Sequence, residues 1–186
     1  VPDTLTYAEV ELFLSQPEGN SPKDIRDKAI VELMYSTGLR VSEVINLKLS
    51  DINLADRCLT CNDTNKQRIV PFSEKAKKWL ERYLDESREI LVKKKETGML
   101  FVNCHGTPMS RQGLWKIIKY YAQMADIDKD ITPHMLRHSF AAHMAECGTD
   151  LKDIQKILGH SDITTTQIYR DITETSHKEG FLLNEK

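Results

Sequence analysis

The spacing of apolar residues departs from the helical pattern in one segment of this chain, and this departure restricts the folds that the chain can adopt. Along most of the chain, apolar residues recur three and four positions apart, as on one face of an α-helix. Between Asp51 and Pro71 the segments become short and rich in β-branched residues, and the polar turn NDTNK separates the last two. We therefore predict an α+β fold that is mostly α-helical, with one small three-stranded antiparallel sheet and an exposed hairpin.

Capping residues predict where the helices begin and end. Thr6 can cap a first helix, and Ser21 can cap a second helix that stops at Gly38. After the sheet, Ser73 can cap one long helix that extends to about Lys94. Further helices are predicted from about residue 42, over residues 110–125, 132–148 and 150–158, and from residue 161.

The length and composition are those of an ordinary soluble domain. The 186 residues can bury one core, so we predict a single domain over residues 1–186. Hydrophobic residues make up 40% of the chain and charged residues 29%, which argues against disordered and fibrous classes. No stretch approaches the roughly 18 apolar residues that span a bilayer, and the N-terminus has no basic region followed by an apolar one. We expect a cytoplasmic protein with no membrane partner.

The four cysteines include one C-x-x-C pair, Cys58 and Cys61, a spacing that zinc sites and redox sites use. A zinc site needs a second pair of ligands, and none follows at a suitable spacing. The pair also falls on a predicted strand, where positions three apart point to opposite faces. We predict reduced structural thiols.

Four short motifs contain residues that can act together on a phosphate. STGLRVSE contains Arg40, TPHMLRHSF contains His134 and Arg137, LGHSD contains His160, and TTQIY contains Tyr169. His134 and Arg137 share one face near a helix N-terminus, where backbone N–H groups and the helix dipole favour an anion. Arg40 follows a Gly-Leu helix break and can reach the same space. The net charge of −2 gives no case for a nucleic-acid partner, so any such site must depend on a local cluster.

These residue types have a joint chemical use. A tyrosine hydroxyl can attack a phosphodiester and form a phosphotyrosine if fixed donors hold the charge that develops on the phosphate oxygens. Arginine suits those oxygens because its guanidinium is planar, bidentate and always charged. His134 can act as a general base or acid, and His160 can donate a hydrogen bond. Neither a metal nor another cofactor is required.

Taken singly, each residue has an ordinary structural explanation. Arg40 can form a surface ion pair with Glu43, and Tyr169 can end a helix with its hydroxyl in water. His134 and His138 have the i, i+4 spacing of metal ligands, but the Glu that a zinc hydrolase carries after its first histidine is missing. A histidine-based metal site is the weakest alternative.

Together the motifs resemble the catalytic domain of the tyrosine recombinases, the phage integrase family, and most closely its bacterial Xer-type members. TGLRVSE, NKQRIVP, PHMLRHSFAAHMAECG and LGHSDITTTQIY match in order and spacing. The resemblance implies that Arg40, His134, Arg137 and His160 activate the scissile phosphate. It implies that Tyr169 is the nucleophile, which leaves a 3′-phosphotyrosine and a free 5′-hydroxyl.

The chain departs from the family pattern in two places. The family's catalytic lysine lies in the hairpin, but counting back from Pro71 places Asp63 at that position, so Lys66 is the remaining candidate for the general acid. Family members also carry a helical core-binding domain before the catalytic domain, and we expect no counterpart of it within residues 1–186. We expect residues 1–186 to be the catalytic domain, with a tail from about residue 171, and to bind DNA weakly and with strong salt dependence.

The resemblance implies a site-specific DNA recombinase or integrase that acts on double-stranded DNA without a cofactor. Recombination joins two duplexes, so we expect a homo-tetramer on paired sites and a monomer in isolation. Two alternatives stay open. A catalytically weak DNA-binding or accessory homologue is favoured by Asp63, and a type IB topoisomerase shares the tyrosine chemistry.

Overall fold

The computed structural model of the chain describes residues 4–63, 66–93 and 95–159, which form eight α-helices and one small sheet. The helices are α1 (Tyr7–Leu14), α2 (Pro22–Thr37), α3 (Val41–Ile45), α4 (Glu74–Glu86), α5 (Arg88–Val92), α6 (Arg111–Ala125), α7 (Pro133–Glu146) and α8 (Leu151–Leu158). The strands are β1 (Ile52–Asn53), β2 (Cys58–Asp63) and β3 (Lys66–Pro71). The predicted α+β, mostly helical class with a three-stranded sheet is confirmed.

Helix α2 lies at the centre of the core and is buried along most of its length, with contacts to α1, α4, α5 and α7. Four of its charged side chains, Arg26, Asp27, Lys28 and Glu32, are also buried, and they have partners. The Arg26 guanidinium lies 2.8 Å from the Asp27 carboxylate, whose other oxygen accepts a hydrogen bond of 2.6 Å from the Tyr121 hydroxyl. This pairing matters because an unpaired buried charge is strongly destabilising.

The sheet is antiparallel with strand order β1-β2-β3, as predicted. Cys61 lies opposite Arg68 in the register of β2 and β3, and Asp63 lies opposite Lys66. Both strands therefore extend into the residues predicted to form the turn. Cys61 is buried and Cys58 is half-buried, in agreement with the prediction that they point to opposite faces. All four cysteines are free thiols.

One helix prediction was wrong. The single helix expected from Ser73 to about Lys94 is two helices, α4 and α5, which meet at Ser87. Ser87 is fully buried, its backbone leaves helical geometry, and its hydroxyl donates a 2.6 Å hydrogen bond to the carbonyl of Pro22. Apolar spacing continues through the break, so the sequence pattern did not reveal it.

Capping explains the helix starts that were predicted correctly. Thr6, Ser21, Ser73, Ser110 and Thr132 each accept a hydrogen bond from a backbone N–H in the first turn of the following helix. The predicted helix from residue 161 lies outside the described residues. Among the described helices, none has the length and apolar character that crossing a membrane requires.

Candidate active site

The candidate site begins at the break between α2 and α3, which depends on Gly38. This residue has a φ of +68°, and a Cβ placed on it would lie 2.4 Å from the ring of Phe140 and 2.6 Å from Leu158. Any larger residue is therefore excluded both by backbone strain and by the packing of α7 and α8. The break fixes the direction in which the chain enters α3, with Arg40 as the residue that precedes that helix.

Arg137 is held by backbone carbonyls from two separate elements. Its Nη1 donates to the carbonyl of Gly38 at 2.7 Å, and its Nη2 donates to the carbonyl of Leu158 at 2.8 Å. The side chain is only 4% exposed. A planar guanidinium with two fixed bonds has little freedom to rotate, so its position is set before any ligand binds.

The Glu43 carboxylate lies among three guanidinium groups. Its oxygens are 2.7 Å from Nη2 of Arg68, 3.9 Å from Nη1 of Arg137 and 4.0 Å from Nη1 of Arg40. Glu43 also accepts a 2.9 Å hydrogen bond from the backbone N–H of Arg40 and a 3.3 Å contact from the Cys61 thiol. One negative charge thus organises three positive charges, and the cluster retains a net positive charge that suits an anion.

An open pocket of about 400 Å³ lies beside this cluster. Three of the predicted site residues, Arg40, His134 and Arg137, line it together. His134 is exposed in the first turn of α7, and Arg137 lies one turn further in. The orphan N–H groups at the start of α7 add to the positive character of the pocket.

Two further pocket residues were missed by the sequence reasoning. Arg111 and Trp115 occupy i and i+4 on the first turns of α6, and both line the pocket. Trp115 remains 37% exposed, which is unusual for a large aromatic residue. Their shared helix face was visible in the sequence, but nothing in the local pattern connected α6 with α3 and α7.

Lys66 is exposed at the start of β3, and it is not among the described residues that line the pocket. It lies on the same face of the strand as Arg68 and Val70, because side chains alternate along a strand. Val70 is buried and Arg68 reaches Glu43. The Lys66 side chain therefore projects from the inward face of the hairpin, and the backbone of Lys66 pairs with that of Asp63.

The other two predicted site residues, His160 and Tyr169, lie outside the described residues. The last described residue is Gly159, which follows the two carbonyls of α8 that accept bonds from arginine side chains. The structure therefore brings Arg40, His134 and Arg137 together, and the positions of His160 and Tyr169 stay a prediction.

Comparison with known proteins finds relatives over nearly the whole chain. Curated relatives include the tyrosine recombinase XerD of Halalkalibacterium halodurans, 48% identical over 182 residues, which cover 97% of this chain and 61% of the relative. The XerD of Lacticaseibacillus casei is 47% identical over 174 residues, which cover 93% of this chain and 59% of the relative. The chain thus spans about three fifths of the length of these relatives.

Solved structures of the same fold include the XerA recombinase, with a TM-score of 0.83 and 31% identity over 98% of this chain and 65% of that one. Another is the XerH site-specific recombinase bound to a palindromic difH substrate, with a TM-score of 0.78 and 27% identity over 100% of this chain and 54% of that one. The sequence profile of the phage integrase family matches residues 3–176. The chain belongs to the phage integrase family, the tyrosine recombinases.

Proposed function

We propose that this chain is the catalytic part of a site-specific DNA recombinase that cuts and rejoins strands through a 3′-phosphotyrosine on Tyr169. The observation that carries the proposal is the pocket that Arg40, His134 and Arg137 line, with both arginines beside the buried Glu43 carboxylate. A positively charged pocket of this kind fits one phosphodiester group. The relatives named tyrosine recombinase XerD support the same reaction class.

The reaction is a transfer of phosphorus between two oxygens. The Tyr169 hydroxyl attacks the scissile phosphorus and loses its proton to a general base, for which we propose His134. The bond from phosphorus to the 5′-oxygen breaks, and that oxygen takes a proton from a general acid, for which Lys66 is the candidate. The 5′-hydroxyl of a partner strand then attacks the phosphotyrosine, which reseals the DNA and releases Tyr169.

Arg40 and Arg137 would neutralise the non-bridging oxygens, with His160 as an additional donor. Removal of one such donor typically costs on the order of a hundredfold to a thousandfold in rate. Glu43 would hold the guanidinium groups apart and oriented without itself touching the DNA. This division of labour explains why a carboxylate is tolerated in a site for an anion, because the arginines around it outnumber it.

Double-stranded DNA is the proposed partner, and a homo-tetramer on two paired sites is the proposed assembly. Structures of related recombinases have been solved in complex with DNA, among them XerH in pre-cleavage and post-cleavage complexes. The tail from about residue 171 is a candidate for contact between neighbouring protomers. The single domain over residues 1–186, the weak binding of DNA in isolation and the cytoplasmic location stay predictions.

A second candidate function follows from the hairpin. Asp63 occupies the position at which the family resemblance expects a lysine, and its backbone pairs with Lys66. A carboxylate near a scissile phosphate would repel it. The chain would then be a DNA-binding or accessory recombinase homologue with weak cleavage.

Covalent trapping separates the two candidates. The full-length protein is incubated with a pool of nicked duplexes that carry a randomised central segment, and protein linked to DNA is recovered under denaturing conditions and sequenced. Cleavage beside a nick releases a short fragment, so the phosphotyrosine accumulates. The recombinase proposal predicts a protein–DNA adduct that Tyr169→Phe abolishes.

The matched binding experiment uses the same pool under native conditions. Adducts that persist in Tyr169→Phe would contradict the assignment of the nucleophile. DNA binding without any adduct would support the accessory function, and Asp63→Lys would then be expected to restore cleavage.

A further inference from the structure

Arg68 connects the hairpin to two other parts of the candidate site. It lies on β3, two residues after Lys66, and its side chain is only 12% exposed. Its Nε donates a 2.7 Å hydrogen bond to the carbonyl of Ile157, and its Nη2 lies 2.7 Å from the Glu43 carboxylate. One side chain of the hairpin therefore contacts both α3 and the end of α8.

The end of α8 is held by two arginines at adjacent carbonyls. Arg68 donates a hydrogen bond to the carbonyl of Ile157, and Arg137 donates one to the carbonyl of Leu158. The last carbonyls of a helix have no partner within the helix, and positive charge is favourable there. Both guanidinium groups also contact Glu43, at 2.7 Å and 3.9 Å, so one carboxylate orients both arginine side chains.

The two arginine contacts to the end of α8 lie directly before Gly159, the last described residue before His160. A Cβ placed on Gly159 would be 3.8 Å from Nη1 of Arg68, so the guanidinium lies directly beside this glycine. On the strand side, Cys61 lies opposite Arg68 in the register and also contacts Glu43. The inward face of the hairpin is thereby fixed against Glu43 at two neighbouring positions.

We propose that Arg68 is a positioning residue for strand cleavage. It fixes two parts of the chain relative to the phosphate pocket: the hairpin, which carries Lys66, and the end of α8, which leads to His160. The proposal rests on the proposed function, because its readout is the reaction of Tyr169. Arg68 touches neither the DNA nor the reacting atoms in this account. It acts through Glu43 and through the carbonyl of Ile157.

Two substitutions separate the parts of this role. Arg68→Lys retains a positive charge for Glu43 but lacks the planar fork that reaches two acceptors at once. Arg68→Met removes the charge and retains much of the packing. Arg57→Met is the matched control, because Arg57 also lies beside the sheet but forms an exposed pair with Glu74 at 3.0 Å.

The measurement is the single-turnover rate of adduct formation on a duplex recovered from the trapping pool, together with the Kd for that duplex and the Tm of each variant. Small misplacements around a reacting group cost up to about a hundredfold in rate. We expect a loss of about a hundredfold for Arg68→Met and about tenfold for Arg68→Lys. The Kd should stay within about threefold, since no phosphate contact is removed. Arg57→Met should cleave like the parent.

A purely structural role would give a different pattern. Arg68→Met would then lower the Tm but cleave within about threefold of the parent at temperatures well below that Tm, and this result would overturn the proposal. If Arg68→Met does not fold, Arg68→Lys decides in the same way. A parent that binds duplexes of the pool but forms no Tyr169 adduct with any of them would refute the proposed function, whereas normal cleavage by Arg68→Lys and Arg68→Met refutes the role of Arg68 alone.

Discussion

Helix α7 carries a histidine near each end, and the two have opposite surroundings. His134, in the first turn, is exposed in a pocket that it shares with Arg40 and Arg137. His143, in the last turn, is buried, and both of its ring nitrogens are engaged. The first is open to a ligand, and the second is already satisfied by the protein.

The His143 end of α7 fastens the beginning of the described chain. Nε2 of His143 lies 2.9 Å from the carbonyl of Leu5, and the N–H of Leu5 donates to Oγ of Ser139 at 2.9 Å. Nδ1 faces the Tyr35 hydroxyl, and the ring of Tyr7 stacks on the imidazole at 4.0 Å. Since a carbonyl only accepts, Nε2 must carry the proton.

The surroundings of a histidine on this helix, and not the residue type, therefore decide its role. Positive charge from arginines and an open pocket favour an anion at one end, whereas burial favours an uncharged imidazole at the other. Burial raises the pKa of Tyr35 to about 12, so this phenol stays a neutral donor beside His143. We expect the two ends of α7 to be functionally separate.

The largest expected effect is at the pocket end. Arg137→Lys should reduce single-turnover cleavage by about a thousandfold, because an ammonium cannot hold the carbonyls of Gly38 and Leu158 and also face a phosphate. Arg57→Lys, at the exposed pair with Glu74, is the matched control and should cleave normally. Near-normal cleavage by Arg137→Lys would remove the fixed guanidinium from the account.

Lys66→Ala tests whether the hairpin belongs functionally to the pocket end. If Lys66 is the general acid, its loss should slow cleavage by about a hundredfold or more. The defect should largely disappear on a duplex with sulfur in place of the 5′-bridging oxygen, because a thiolate leaves without being protonated. Equal rates for parent and variant on the ordinary duplex would exclude Lys66 as the acid.

Glu43→Gln tests the charge that organises the arginines. The amide retains an acceptor for the N–H of Arg40 but leaves three guanidinium groups without their buried counter-charge. We expect the free energy of unfolding to fall by about 3 kcal/mol in urea titrations, and cleavage to fall on the order of tenfold to a hundredfold. Unchanged stability would mean that the arginines do not depend on this carboxylate.

The His143 end should respond to pH and leave cleavage unchanged. Burial lowers the pKa of His143 below its usual value of 6.5, while the nearby Glu146 acts in the opposite direction. Well above pH 6.5 the imidazole is neutral in both the folded and the unfolded state, so it contributes no pH dependence there. As the pH falls below 6.5, the unfolded state binds the proton first, and the free energy of unfolding should decrease until the folded pKa is reached.

His143→Gln checks this assignment. The variant should be less stable at pH 7.5 by about 1 kcal/mol or more, through loss of its buried hydrogen bonds. Its stability should also vary less between pH 7 and pH 5 than that of the parent, as measured by thermal unfolding across that range. A variant with the same slope as the parent would place the titrating group elsewhere.

The smallest expected effect is a change in tryptophan fluorescence when DNA binds. The chain has two tryptophans, and Trp115 lines the pocket whereas Trp79 packs beneath Arg82 at 5.4 Å. In Trp79→Phe, duplex DNA should change the emission of the remaining tryptophan. In Trp115→Phe the emission of Trp79 should change little. The reverse pattern would place the DNA on another face.

The sequence predicted most of the fold because its signals are local. Caps at Thr6, Ser21 and Ser73, the stop at Gly38 and the change of spacing after Asp51 are each read within a few residues. The break at Ser87 was missed because its cause is a hydrogen bond to Pro22, which is 65 residues away in the chain. Such a contact leaves no mark on local periodicity.

The sequence predicted the residues that would act on a phosphate better than the residues that hold them in place. Arg40, His134 and Arg137 follow from motif spacing, and they do line one pocket. Glu43 was considered only as an ion-pair partner of Arg40, and Arg68 was not considered at all. Their roles depend on how the hairpin, α3 and α8 meet in space, which no spacing within a single element can reveal.

The most direct test applies the same substitution to the histidines at the two ends of α7. His134→Gln and His143→Gln are assayed for covalent trapping on one duplex, at a temperature below the Tm of both variants. We expect His134→Gln to lose about a hundredfold or more of the adduct-forming rate, and His143→Gln to retain the parental rate. Equal losses in both variants, or a loss in His143→Gln alone, would contradict the assignment of the pocket as the catalytic site.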